Sequence, residues 1–184
     1  MMSGIRVRLD GSEGAIGAVA RAIERLGHSR KMFTDIGQSL LSSIANRFSR
    51  GAGPDGSPWP PSLRVLAHGG KTLIDTGNLF HRFTSRETDT SVEVGTNVIY
   101  AAIQQFGGTV RHAQREQVLH FKHNSRTGTT RFTKPNKRAT FAQKVQIGAY
   151  TTKIPARPFI GLDDADEREI TEIAARYVAK ALEP

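Results

Sequence analysis

Residues 154–182 read IPARPFIGLDDADEREITEIAARYVAKAL, and the two halves of this stretch make opposite demands on the backbone. In Pro155-Ala156-Arg157-Pro158-Phe159 the prolines fix their own φ and keep the residues before them extended. Arg157 is therefore presented between two stiff points, and Phe159 is expected in the core. From Asp163 onward Ile170, Ile173, Ala174, Tyr177, Val178, Ala181 and Leu182 recur at helical spacing and form one apolar stripe. The start of that helix is acidic (Asp163, Asp164, Asp166, Glu167), which suits the positive end of a helix dipole. A stripe of this kind has to be buried against other elements, and the rest of the chain supplies them.

Phe33, Ile36, Leu40, Ile44 and Phe48 step by three or four along one helix face, and Gly51 stands where that helix would stop. Ile16, Val19, Ala20 and Ile23 predict a further helix ahead of Gly27, and Ile5, Val7 and Leu9 alternate with Arg6 and Arg8 as a strand would. Residues 51–61 are rich in Gly and Pro around the single Trp59 and read as a loop. Segments 79–84 and 91–95 read as strands that pair around Arg86–Thr90. Tyr100–Gln104 predicts a short helix stopped by Gly107-Gly108, with Tyr100 and Phe106 expected in the core. Val118–His123 alternates as a strand, Asn124–Arg138 is polar and basic, and strand character returns at Phe141, Val145 and Ile147. The pattern predicts an α+β fold: N-terminal helices and a long C-terminal helix packed on a small, mainly antiparallel sheet, with an extended basic hairpin arm. One domain spans residues 1–184, with residues 111–150 as the arm and its tip, 124–138, expected to be mobile.

Charge is unevenly placed. The net charge of +9 resolves into +4 over residues 1–50, −1 over 51–110, +10 over 111–158 and −4 over 159–184. A basic block of this size points to nucleic acid, to an acidic protein partner or to a solvated face. The absence of cysteine rules out disulfides, thiol catalysis and thiolate metal sites. No stretch approaches the ~20 apolar residues of a membrane span, and no signal core opens the chain, so a protein that is soluble and cytoplasmic during synthesis is expected. His120 and His123 are the only close histidine pair, and on a strand that spacing sends them to opposite faces, away from a shared ion. Asp55, Asp75, Glu87, Asp89 and Glu93 are scattered instead of clustered as Mg²⁺ ligands would be. Phosphate loops, nucleophile elbows and dinucleotide fingerprints are absent. No enzyme activity, metal or cofactor is expected.

Four stretches stand out in order: Asp55-Gly56-Ser57-Pro58-Trp59-Pro60; Leu73-Ile74-Asp75-Thr76-Gly77-Asn78-Leu79; Val94-Gly95-Thr96-Asn97 followed by Tyr100 to Gly108; and Ile154 to Leu162. Together with Ala139-Thr140-Phe141-Ala142-Gln143 and Ile147-Gly148-Ala149-Tyr150, their sequence resembles the phage virion morphogenesis family, the tail completion proteins of Mu-like and related phages. The resemblance covers roughly residues 30–182. It implies a structural role in finishing the tail for joining to the head, with phage tail and neck proteins as partners and no catalytic residues. It also implies passage from the host cytoplasm into the virion tail.

Read from the residues, Trp59 plugs the edge of the core or anchors a partner. Asp75 and Thr76 cap a turn that Gly77 completes with positive φ. Arg157 clamps a carboxylate inside the fold or contacts a neighbouring subunit. A homo-oligomeric ring, assembled from a protein that is monomeric when free, needs one patch to meet a different patch on the next copy. The basic arm (Arg131, Lys134, Lys137 and Arg138, with Phe132 as its apolar anchor) and the acidic helix start (Asp163, Asp164, Asp166) are candidates for that contact. The alternative is a nucleic-acid-binding domain, since Phe121, Phe132, Phe141 and Tyr150 are interleaved with basic residues. The readings separate by salt. Polycation binding to phosphates releases counterions, so weak sequence-independent DNA binding at low salt should fade near ~150 mM. Fluorescence anisotropy with labelled DNA measures this, and nanomolar binding at ~150 mM salt would favour the nucleic-acid domain.

Overall fold

The computed structural model describes residues 5–10, 29–135 and 139–182. The helix expected over Ile16–Ile23 lies outside the described residues. In chain order the elements are β1 (Ile5–Asp10), α1 (Ser29–Arg50), α2 (Leu63–His68), a 3-10 turn (Phe80–Arg82), β2 (Phe83–Glu87), β3 (Ser91–Thr96) and α3 (Ala101–Phe106). They continue with β4 (Gly108–His112), β5 (Arg115–Asn124), β6 (Thr129–Thr133), β7 (Phe141–Ile147), β8 (Tyr150–Ile154) and α4 (Asp164–Leu182). Helices and small antiparallel sheets make this an α+β protein, as the pattern predicts, and the C-terminal helix is present. The chain forms two compact units, residues 1–108 with 155–184, and residues 109–154.

In the first unit β3 is the central strand of a three-stranded sheet, antiparallel to β1 and to β2. Ser91, Val92, Val94 and Thr96 are buried. Helix α1 lies across this sheet and contributes Met32, Phe33, Ile36, Leu40, Ile44 and Phe48 to the core. Gly37 permits that approach, because a Cβ there would stand 3.0 Å from Ser85 Cβ and 3.1 Å from Val92 Cγ2. Helix α4 packs along α1 through Ile170, Ile173 and Ala174. Tyr177 of α4 adds a hydrogen bond from its hydroxyl to Asp35 Oδ2 on α1 (2.8 Å). Burial, with that bond and the carboxylate's charge, pushes the Tyr177 hydroxyl up to about 12.

Two local readings are corrected. Segment 79–84 begins as a 3-10 turn, and strand structure starts only at Phe83. Gly77 with φ 79° turns the chain, and His81 N–H closes on Gly77 O at 2.9 Å, which holds Phe80–Arg82 in a turn and leaves Leu79 buried. Tyr100 and Phe106 are exposed instead of in the core. Helix α3 has six residues, and its inward face is Ala101 and Gln105, one turn apart. Phe106 lies well round the helix from that face.

In the second unit β5 pairs antiparallel with β6 on one side and with β7 on the other, and β4 pairs with β8. Within the stretch expected to be a mobile tip, Thr129–Thr133 is a strand in register with His120–Asn124. The cross-strand pair Phe121 and Phe132, with ring centroids 5.0 Å apart, gives that pairing its apolar support. Lys137 and Arg138 lie outside the described residues.

Phe48 is fully enclosed at the centre of the first unit. Its ring meets Trp59 edge-on (5.3 Å, 77°), Phe83 at 5.7 Å, Phe80 at 5.6 Å and Phe159 at 5.7 Å. Phe48→Ala should lower stability by about 3–5 kcal/mol through lost burial and the cavity left among these rings. Urea denaturation checks it, and a loss below ~1 kcal/mol would show that the cluster is not a packed centre.

Candidate functional site

The first and third sequence motifs meet the extended segment Arg157–Asp163, which belongs largely to the fourth, and the residue at the middle of the junction is Arg47 of α1. Its guanidinium is 1% exposed and fans across this segment. Nη1 donates to Gly161 O (2.7 Å) and Phe159 O (3.3 Å), and Nη2 donates to Asp163 Oδ2 (3.2 Å) and to Asp166 Oδ2. Nε is the one buried side-chain polar atom among the described residues without a hydrogen-bond partner. Arginine suits this place because its planar fork carries several donors at fixed angles.

Asp163 is the N-cap of α4. Its Oδ1 accepts from Ala165 N–H (3.0 Å) and Asp166 N–H (2.9 Å), while Asp166 Oδ2 accepts from Asp163 N–H (3.1 Å). This reciprocal arrangement is a capping box with aspartate in both places. Burial works against the charge on Asp163, but hydrogen bonds from Asp166 N–H and the Arg47 guanidinium, the charge of Arg47, and a hydrogen bond from Ala165 N–H outweigh it. Its carboxyl is held below 3.8.

The motifs that carry Trp59 and Gln104-Gln105 attach to the same segment. Trp59 is buried and donates its indole N–H to Pro158 O (2.8 Å). The turn ahead of it is closed by Ser57 N–H on Asp55 Oδ1 (3.1 Å); the hydrogen bonds from the Ser57 side chain and backbone lower the Asp55 carboxyl from its ordinary value. Gln105 acts as a surrogate strand: Oε1 accepts from Phe159 N–H (2.8 Å) and Ile160 N–H (3.1 Å), and Nε2 donates to Ile160 O (2.7 Å). Arg157 is itself buried, and burial lowers its guanidinium from the ordinary value. Nε donates to Pro60 O (2.7 Å) and Nη1 to Gln104 Oε1 (2.9 Å), while its own N–H donates to Gln104 O (2.8 Å). The carboxylate clamp considered for Arg157 is built on Arg47 instead, and Arg157 bridges a carbonyl and an amide.

The expected contact residues thus fall in different settings. Trp59, Arg157 and Asp166 are buried in the junction, Asp163 is half-buried as a cap, and Asp164 alone of the three aspartates is exposed. Phe132, Arg131 and Lys134 are exposed in the second unit. Sequence reasoning missed Arg47, although it continues the Phe33–Leu40–Ile44 stripe, and a cation on that stripe was the available signal. It also missed the outward-facing apolar groups that the junction supports. Leu63 (83% exposed) and Leu66 on α2, with Ile99, Tyr100 and Phe106 (69% exposed) around α3, are all open to solvent. Arg157 ties Pro60, ahead of α2, to Gln104 of α3, so these two helices are braced by one guanidinium.

On the outer face of the β1–β3–β2 sheet, Arg6, Arg82 and Arg86 line a groove of about 540 Å³ with Thr84, Asn97 and Glu93, which pairs with Arg6 at 3.2 Å. Among the described residues no three His, Cys, Asp or Glu side chains come together to hold a metal. No helix among them is long and apolar enough to cross a membrane.

The sequence matches the phage virion morphogenesis family over residues 13–179. It is 27% identical over 173 residues to the Mu-like prophage FluMu G protein 2 of Haemophilus influenzae, covering 94% of this chain and 95% of that protein. It is 30% identical over 153 residues to the putative capsid assembly protein G of Escherichia phage Mu, covering 78% of this chain and 76% of that protein. No solved structure matches.

The Arg47 junction should show itself in acid. Removing one member of a buried, hydrogen-bonded charge cluster leaves the others uncompensated, so Arg47→Ala should cost about 3–5 kcal/mol near neutral pH. Because the folded Asp163 carboxyl lies below 3.8, its stabilising effect is complete above that value and is lost as pH falls through the lowered one. The difference between wild type and Arg47→Ala should therefore narrow in acid. Denaturant titrations across pH measure it, and a difference that widens on acidification would refute the assignment.

Proposed function

This chain belongs to the phage virion morphogenesis family and is a phage assembly protein, and from that premise we propose that its task is tail completion, the step that prepares the tail for joining to the head. It acts by binding phage tail and neck proteins and not by catalysis. Once incorporated, it sits in the virion tail as a ring of copies, having been made in the host cytoplasm. The observation that carries this reading is the exposed apolar set Leu63, Leu66, Ile99, Tyr100 and Phe106, on and just ahead of two short helices braced by the buried Arg157. Large apolar side chains that a fold holds outward, on a support stiffened by internal hydrogen bonds, suit protein contacts.

The acidic start of α4 enters this reading differently from Trp59-type anchors. Asp163 and Asp166 are engaged by Arg47, so the acidic contribution to a contact comes from exposed groups such as Asp164 and Glu167. Charge there sets orientation and encounter rate, while the apolar residues supply affinity. The second reading, nucleic-acid binding, draws on the arginine-lined groove of the β1–β3–β2 sheet.

The test is genetic. Deleting the gene in a prophage that can be induced should leave filled heads and separate tails visible by electron microscopy, with infectious yield restored by the wild-type chain. Leu66→Asp with Phe106→Asp changes exposed positions, so stability should stay within about 0.5 kcal/mol of wild type. That double variant should nevertheless fail to restore yield. Joined, infectious particles from the deletion, or full rescue by the folded double variant, would refute the proposal.

A further inference from the structure

The basic block of the second unit has almost nothing within it to neutralise it. Residues 109–154 hold ten Lys and Arg and a single carboxylate, Glu116. The register of β6–β5–β7 sorts these charges. Phe132, Phe121 and Phe141 lie side by side on one face, with ring centroids 5.0 Å apart in each step. Lys122 stands directly across from Arg131 on the other face, which also carries Lys144. Like charges opposed across two strands destabilise the pairing that brings them together. Among the described residues neither Lys122 nor Arg131 has a carboxylate partner. Glu116 shares their face but lies six residues along β5 from Lys122, roughly 20 Å away and beyond a Debye length of ~8–10 Å.

Around this pair the tip of the β5–β6 hairpin forms a groove of about 280 Å³ lined by Lys122, Asn124, Thr127, Thr129 and Arg131. All five are exposed, and none is acidic or apolar. Gly128, with φ 65°, turns the chain so that the Thr127 and Thr129 hydroxyls meet at 2.8 Å. One hydroxyl donates to the other, so one O–H remains to give. Asn124 Oδ1 accepts from Arg126 N–H (3.0 Å), so the part of its carboxamide left for the groove is Nδ2, a donor. Two cations, an amide and a hydroxyl thus line one groove, and together they suit an anion with several acceptor oxygens.

We propose that this groove binds a phosphate of a nucleic-acid backbone. Lys, Arg, Thr and Asn side chains are the usual partners of backbone phosphates. A protein partner would draw its affinity from apolar side chains buried at the centre of the contact, and the groove has none. The phenylalanine rings face the other way, so a base stacked on them turns its phosphate away from Lys122 and Arg131. The contact is therefore with backbone alone and reads no sequence. Arg126 in the turn, Lys134 beyond β6 and Lys144 on β7 extend the cationic surface past one phosphate, which suits a polynucleotide and not the free ion. The groove is separate from the apolar surface proposed for tail proteins, and either can fail without the other.

Anisotropy of a labelled DNA duplex, titrated with the full-length chain at ~20–100 mM salt, tests this. Each lost phosphate contact lowers the slope of log affinity against log salt by about 0.9. Lys122→Gln with Arg131→Gln should therefore lower the slope by about two and weaken binding at least tenfold at ~50 mM salt, equally for duplexes of different sequence. Arg82→Gln with Arg86→Gln removes the same charge from the groove of the first unit and should change affinity less than about twofold. Thr127→Val with Thr129→Val keeps every charge and should weaken binding about threefold. If the glutamine pair alters the circular dichroism, Lys122→Glu replaces it, because that change turns the repelling pair into an ion pair across the strands and abolishes binding in the groove. Equal loss from the two glutamine pairs would mean diffuse charge, and a larger loss from the arginine pair would put the contact in the first unit; either overturns the proposal. So does displacement of DNA by ~10 mM phosphate at matched ionic strength, which would assign the groove to the free ion. Polyglutamate that binds as tightly as DNA, and is lost with Lys122 and Arg131, would overturn it in favour of an acidic protein.

Discussion

A buried guanidinium has to be surrounded by acceptors or it destabilises the fold that contains it. Arg47 meets that condition at both Nη atoms, with two backbone carbonyls and two aspartates, all from Phe159–Asp166. The constraint works in both directions. The segment must run extended past the end of α1 for its carbonyls to reach the fork, and α4 must begin where Asp163 and Asp166 can share the guanidinium while capping each other's backbone. One side chain thereby sets the joint between the two long helices. Trp59, Gln105 and Arg157 then fasten the loop before α2 and helix α3 onto the same segment.

The joint gives the first unit a stiff support from which short elements project. Helices α2 and α3 are too short to be stable in isolation, since a helix of six residues makes few internal hydrogen bonds for the entropy it costs. They persist because Ser62 caps one of them, Arg64 braces the loop after it through Lys71 O and Ile74 O, and Gln105 anchors the other. Held in this way they can direct leucine, isoleucine and phenylalanine side chains to solvent. The second unit follows a different logic, in which strand pairing and a row of rings hold a sheet that encloses nothing. Both arrangements suit a protein whose work is to be bound.

Much of this was legible beforehand because it is periodic. The stripe from Phe33 to Phe48 and the stripe from Ile170 to Ala174 are buried as their spacing predicts, and Phe159 is enclosed. The alternation at Val92 and Val94 marked the central strand of the first sheet. Short elements were harder, for a physical reason. At Tyr100–Phe106 there is barely more than one turn, so periodicity cannot say which side faces inward, and two aromatics expected in the core lie outside it. At Leu79–Phe83 a glycine with positive φ converted an apolar run into a turn.

The sequence by itself determined the two long helices, the α+β class, the acidic start of the last helix and, through four ordered motifs, the family. These are properties of local spacing and residue type, which every copy of such a stretch carries wherever it sits in a fold. Only the tertiary structure decided which charges are spent inside and which face out. Asp166 looks like an ordinary surface charge in the sequence, and nothing local pairs it with Arg47, 119 residues away and buried against it. Asp164, two residues from Asp166, is exposed. The division of the second unit into a phenylalanine face and a cationic face likewise rests on a register among three strands, which pairs Phe121 with both Phe132 and Phe141. Burial and register are relations between distant segments, and a one-dimensional pattern does not contain them.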